Sequence, residues 1–130
     1  MCLLLTKKTV LLIISMIDTQ KTKKIYTQAC DCPITAAIHV IGGKWKPVII
    51  WLLLTKPMRF GELHKSIPGI ALKVLSRHLK ELEHDGVIDR QAYPEIPPRV
   101  EYSLTKKGAS LLQIMTMLAA WSRENIVLNA

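Results

Sequence analysis

Residues 60–86 read FGELHKSIPGIALKVLSRHLKELEHDG, and their pattern decides the fold. Phe60 to Ser66 predicts a short helix, and Pro68-Gly69 stops it. Ala71 to Asp85 predicts a strong amphipathic helix ended by Gly86. At about 100° per residue, Leu72, Leu75, Leu79 and Leu82 fall on one side as a core stripe. Lys73, Ser76, Arg77 and Lys80 fall on a second stripe that holds no acid, while Glu81, Glu83 and Asp85 are kept to the C-terminal end. The turn between the two helices is too short for antiparallel packing, so they cross steeply. A helix lying in the major groove needs this segregation, because its first half must tolerate phosphates and offer donors to base edges. In isolation the same stripe also suits the solvated face of an ordinary surface helix.

Working outward, Val87 to Tyr93 and Arg99 to Leu104 predict two strands around Pro94-Glu95-Ile96-Pro97-Pro98. Val100, Tyr102 and Leu104 alternate with Arg99, Glu101 and Ser103, which predicts one buried and one wet face. Thr105 is an N-cap residue, and one helix is expected from it through Leu111, Met115, Leu118 and Ser122 towards Asn125. Upstream, Cys32-Pro33 opens a helix with Ile34, Ala37, Ile38 and Ile41 at helical spacing, broken by Gly42-Gly43. Lys46 to Thr55 restarts with Pro47 and is apolar nearly all round, the pattern of a buried helix. Met58 to Phe60 is a short extended link. Short helix, Pro-Gly turn, amphipathic helix and hairpin together predict a winged helix-turn-helix, α+β but mainly α. The neighbouring turn and hairpin are what favour groove reading over the solvated face.

A length of 130 residues suits one domain with one core, and 49% apolar with 22% charged residues describes a folded globular chain. The net charge of +8 favours a polyanionic partner, but residues 1–24 hold five Lys and one Asp, so half of the excess lies outside residues 25–130. Val10 to Ile17 is apolar yet shorter than the roughly 20 residues of a membrane span, and no small-x-small cleavage site follows. Two readings stay open: a segment packing on a partner subunit, or translation starting at Met16, ahead of the polar leader Asp18 to Lys24. Three Cys argue against a disulfide scaffold and for a reducing, cytoplasmic setting. With the apolar run too short to span, no membrane partner is expected; a surface anchor at residues 3–17 is the third reading. Cys30 and Cys32 lack the spacing of a zinc site, and a metal shared with His64 or His84 is not expected. Gly42-Gly43-Lys44 is no phosphate loop, since Trp45 stands where Ser or Thr would bind magnesium. Trp45 is read as core, and Met115 and Met117 as core or dimer seam. No cofactor is expected, and the scattered His residues form no catalytic order, so the chain does not read as an enzyme.

Cys32-Pro33-Ile34, Ile41-Gly42-Gly43-Lys44-Trp45-Lys46, Arg59-Phe60-Gly61-Glu62-Leu63 and Ile67-Pro68-Gly69-Ile70 resemble segments of the HxlR-type bacterial transcriptional regulators. Leu75 to Gly86, Pro97 to Thr105 and Trp121 resemble the remaining ones, in order, over about residues 30–125. The resemblance implies a homodimeric winged-helix protein on double-stranded DNA, with terminal helices forming the dimer and residues 71–85 reading the groove. The family commonly has Ser where Ala71 stands. Ala cannot accept the free backbone N–H there, at a typical cost of about 1 kcal/mol.

The expected function is therefore sequence-specific transcriptional regulation as a homodimer on a pseudo-palindromic operator. Lys73, Ser76, Arg77 and Lys80 are the candidate groove contacts, with Arg99 on the wing for phosphate or minor groove. Cys32, at the N-cap of its helix, sits by free N–H groups at the positive helix end, which favours the thiolate, although Asp31 opposes this. The resemblance admits a sensor of oxidants or quinones at Cys32, and an inert half-buried thiol is the other reading. The rival function is a thiol redox protein acting through Cys32 without DNA, for which the sequence places no nearby base.

Overall fold

Pro33 and Pro47 each stand in the first turn of a helix, where the missing N–H leaves no bond unmade. The computed structural model describes residues 32–126, so the readings of the apolar run at 10–17, of the leader and of Cys30 lie outside the described residues. The chain divides between Gly42 and Gly43 into two units. In the first, Cys32 is the extended N-cap of α1 (Pro33–Ile41), and the Gly42 N–H closes the helix on the Ile38 carbonyl at 2.7 Å.

The second unit runs α2 (Lys46–Leu53), β1 (Met58–Arg59), α3 (Phe60–Ser66), α4 (Leu72–His84), β2 (Ile88–Tyr93), β3 (Arg99–Leu104), α5 (Lys106–Ala109) and α6 (Leu112–Asn125). The sheet is antiparallel in the order β1-β3-β2. The expected link at Met58 is thus a sheet strand, with Met58 opposite Tyr102 and Arg59 opposite Glu101. Ile88 pairs with Leu104 and Tyr93 with Arg99, which makes β2 and β3 the wing. The core joins Ile49, Ile50 and Leu53 of α2 with Leu63 of α3, Leu75, Leu79 and Leu82 of α4, and Val87, Ile88 and Tyr102. Each such side chain contributes about 1.5–3 kcal/mol on burial.

Four expectations need correction. Leu72 is 58% exposed and leaves the core stripe to Leu75, Leu79 and Leu82, because the first turn of α4 overhangs the core. Helix α2 ends at Leu53, and Val48 and Trp51 face outward, so it is buried along one side only. Strand β3 lacks a wet face: its residues are half-buried apart from buried Tyr102, since β1 and β2 flank it.

The single helix expected after Thr105 is two helices, α5 and α6, parted by a tight turn at Ser110-Leu111. There the Leu111 N–H bonds the Gly108 carbonyl at 3.0 Å, and Ser110 Oγ donates to the Lys107 carbonyl at 2.5 Å. Thr105 does cap α5, accepting from the Gly108 N–H at 3.0 Å, while its hydroxyl donates to the Gly86 carbonyl at 2.6 Å. Gly108 packs so closely on Val87 that a Cβ would collide with the Val87 carbonyl. That approach pins α5 to the loop between α4 and the wing.

Candidate nucleic-acid interface

Helix α4 is placed by the turn in front of it. The Arg59 backbone N–H donates to Glu62 Oε1 at 3.1 Å, closing the first turn of α3. Gly69 adopts a left-handed φ of 86°, the conformation a tight turn between crossing helices needs. His64, weighed above as a metal ligand, instead bonds the Ile70 carbonyl through Nε2 at 3.1 Å and steadies that turn. Among the described residues no group of His, Cys, Asp or Glu is assembled to hold a metal. Ala71 is the N-cap of α4; Leu75 N–H reaches its carbonyl at 3.0 Å, but no side chain caps the free N–H groups.

Lys73, Arg77 and Lys80 are exposed along one side of α4, with half-buried Ser76 beside them and exposed His84 extending the same stripe. The helix thus brings together four of the five residues singled out in the sequence. Glu81 follows Arg77 by four residues, and its carboxylate is already engaged. Its Oε2 lies 2.6 Å from Lys46 Nζ of α2 and 3.5 Å from His78 Nδ1. The hydrogen bond from Lys46, foremost, holds the Glu81 carboxyl below the usual carboxylate range. Lys46, only 8% exposed, escaped the sequence reading. The signal was a cation at the head of an apolar helix, which cannot be buried without a partner. Lys107, which with Lys106 lies outside the stripe and is expected at most to touch phosphate, instead donates from Nζ to the Asp85 carbonyl at 2.7 Å and completes the C-terminus of α4.

The fifth residue sits apart, on the wing. Arg99 stacks on Tyr93 at 4.0 Å, and a terminal nitrogen lies 3.2 Å from Glu95 Oε1. Its side chain is 28% exposed, so the guanidinium braces the loop end of the hairpin. The tip belongs to fully exposed Ile96. Trp45, read as core, is half-buried, with Lys44 Nζ 4.6 Å from its ring centre.

Cys32 is a half-buried free thiol. The backbone N–H of Thr35, followed by that of Ile34, pulls its pKa below the ordinary thiol value. On α6, Met115 turns inward, whereas Ile114, Met117, Leu118 and Trp121 are each about half exposed at helical spacing. No single helix among the described residues is long and apolar enough to cross a membrane.

Residues 40–129 match the family described as HxlR-like helix-turn-helix. Over 111 residues the chain is 42% identical to the regulatory protein MalR of Fusobacterium mortiferum, covering 85% of this chain and 100% of that one. The structure of the HTH-type transcriptional regulator YtcD of Bacillus subtilis is 46% identical, with a TM-score of 0.69 over 72% of this chain and 96% of that one. The redox regulator HypR in its oxidised form is 37% identical, with a TM-score of 0.70 over 75% of this chain and 100% of that one. A winged helix-turn-helix fold and a sequence match across most of the chain thus lead to one conclusion: the chain belongs to the HxlR-like helix-turn-helix family and is a DNA-binding transcriptional regulator, not an enzyme.

Proposed function

We propose that the protein is a cytoplasmic, homodimeric transcriptional repressor that binds a pseudo-palindromic operator and responds to oxidants or electrophiles through Cys32. The observation that carries the reading is the exposed stripe Lys73, Arg77, Lys80 on α4, with the carboxylate of Glu81 paired to Lys46. Arg77 forks onto a guanine, Lys73 and Lys80 meet phosphate or base edges, and Ser76 donates its hydroxyl. Arg99 joins from the wing, giving up its Glu95 contact to reach phosphate or the minor groove. The exposed apolar face of α6 supports self-association, because such a face on a small domain favours a partner. Two copies related by a two-fold axis would set two α4 helices about one DNA turn apart.

The lowered pKa of Cys32 and the similarity to a redox regulator support the sensing role. A two-electron oxidant converts the thiolate to a sulfenic acid, which condenses with a second thiol to a disulfide and releases water. A duplex selected by the protein from a random library supplies the operator for the test. Arg77→Ala is expected to cost about 1–3 kcal/mol on that duplex and little on a scrambled one. Lys106→Ala, outside the stripe, should weaken both alike and lower the salt slope by about one. Equal losses on both duplexes for Arg77→Ala would mean that α4 does not read sequence.

A further inference from the structure

Glu81 follows Arg77 by four residues, a spacing at which the two side chains attract along a helix. A carboxylate turned to that side would compete with DNA for the guanidinium and repel phosphate. In the structure the carboxylate lies between the two cations, with its close contact on the Lys46 side. Oε2 lies 2.6 Å from Lys46 Nζ, whereas Oε1 makes only a long ion-pair contact with Arg77 Nε at 3.8 Å, beyond hydrogen-bond reach. His78 Nδ1, 3.5 Å from Oε2, stands on the same inward side. The two ends of the ion pair differ in freedom. The Lys46 side chain is 10% exposed and anchored in the first turn of α2, whereas that of Glu81 is 43% exposed and has solvent to swing into. The cation is the fixed member, and it decides where the carboxylate points.

We propose that Lys46 is a positioning residue for DNA recognition: by drawing Glu81 inward it keeps that carboxylate from closing onto Arg77 and leaves the guanidinium available to the nucleic acid. The inference rests on the reading of α4 as the groove helix. Lys46 does not touch DNA in this account; it acts through Glu81. Replacing it with Met keeps the length and apolar stem of the side chain but frees the carboxylate.

The test measures binding of the full chain to the library-selected duplex, with thermal melts of each variant as a check on folding. Lys46→Met should bind about tenfold more weakly than wild type, and Arg77→Ala should also lose affinity. The double variant Lys46→Met/Glu81→Gln should return to within about twofold of wild type, although the ion pair is still missing. A merely structural brace would leave the double variant as weak as the single one, and that result would overturn the proposal. Glu81→Gln alone, whose amide oxygen still accepts from Lys46, should bind as well as wild type or better. A fall in its affinity would overturn the proposal even if Lys46→Met failed to fold. Loss in Arg77→Ala without loss in a folded Lys46→Met would overturn this inference alone. No loss in Arg77→Ala would overturn the groove reading, and the inference with it.

Discussion

Two side chains carry chemistry that pH can interrogate. Glu81 has a lowered pKa in the folded protein, chiefly through the Lys46 hydrogen bond, so in mild acid the unfolded chain binds more protons than the native one. The stabilisation is therefore complete above the ordinary glutamate range and is lost as pH falls through the lowered value. Thermal melts of wild type and Lys46→Met should differ at neutral pH and converge in acid; a constant gap from about pH 7 to about pH 3 would contradict the assignment. Cys32 is tuned by the N–H groups of Thr35 and Ile34 rather than by a basic side chain. In a Cys2→Ser/Cys30→Ser background, iodoacetamide at neutral pH should alkylate Cys32 faster than free cysteine, whose pKa is about 8.5. Slower reaction would mark an inert thiol.

At the scale of elements, α4 is held from below by three leucines and from its end by α5. Leu79→Ala should cost about 2–5 kcal/mol in urea unfolding, since its side chain is 1% exposed within the core. Leu72→Ala, at the exposed overhang, should stay within about 0.5 kcal/mol. Equal effects at the two positions would restore Leu72 to the core stripe. Gly108→Ala pushes a methyl group against the Val87 carbonyl and to 3.0 Å from Leu104 Cδ2, so it should cost about 1–3 kcal/mol or more. The same denaturant titration measures it.

For the molecule as a whole, the open question is what covers α6. Leu118 and Trp121 are 53% and 57% exposed, while Met115 of the same helix is buried, so one stripe serves the core and another is left outward. Sedimentation at micromolar concentration should give twice the chain mass of 14.7 kDa. Leu118→Glu should shift the protein to monomer, and its affinity for a palindromic duplex should fall much more than its affinity for a half-site. A wild-type monomer, or a dimer indifferent to Leu118→Glu, would remove α6 from the interface.

By itself the sequence determined what short-range physics controls. Pro33, Pro47 and the Pro68-Gly69 turn punctuate the chain within a residue or two of the observed boundaries, and the bounds of α3 and β3 are as the pattern predicts. The basic stripe was legible for the same reason: helical periodicity fixes which side chains share a face before any packing occurs. Tertiary structure decided the rest, because those outcomes depend on partners far along the chain. Lys46 finds Glu81 thirty-five positions away, and Gly108 meets Val87 across the wing, which splits a helix that local propensity would continue. Arg99 looked like a free wing cation until the hairpin set it on Tyr93 and Glu95. Periodicity names the faces of a helix, but only the shape of the core decides how far each face is covered, and so Leu72 lies outside and Met115 inside.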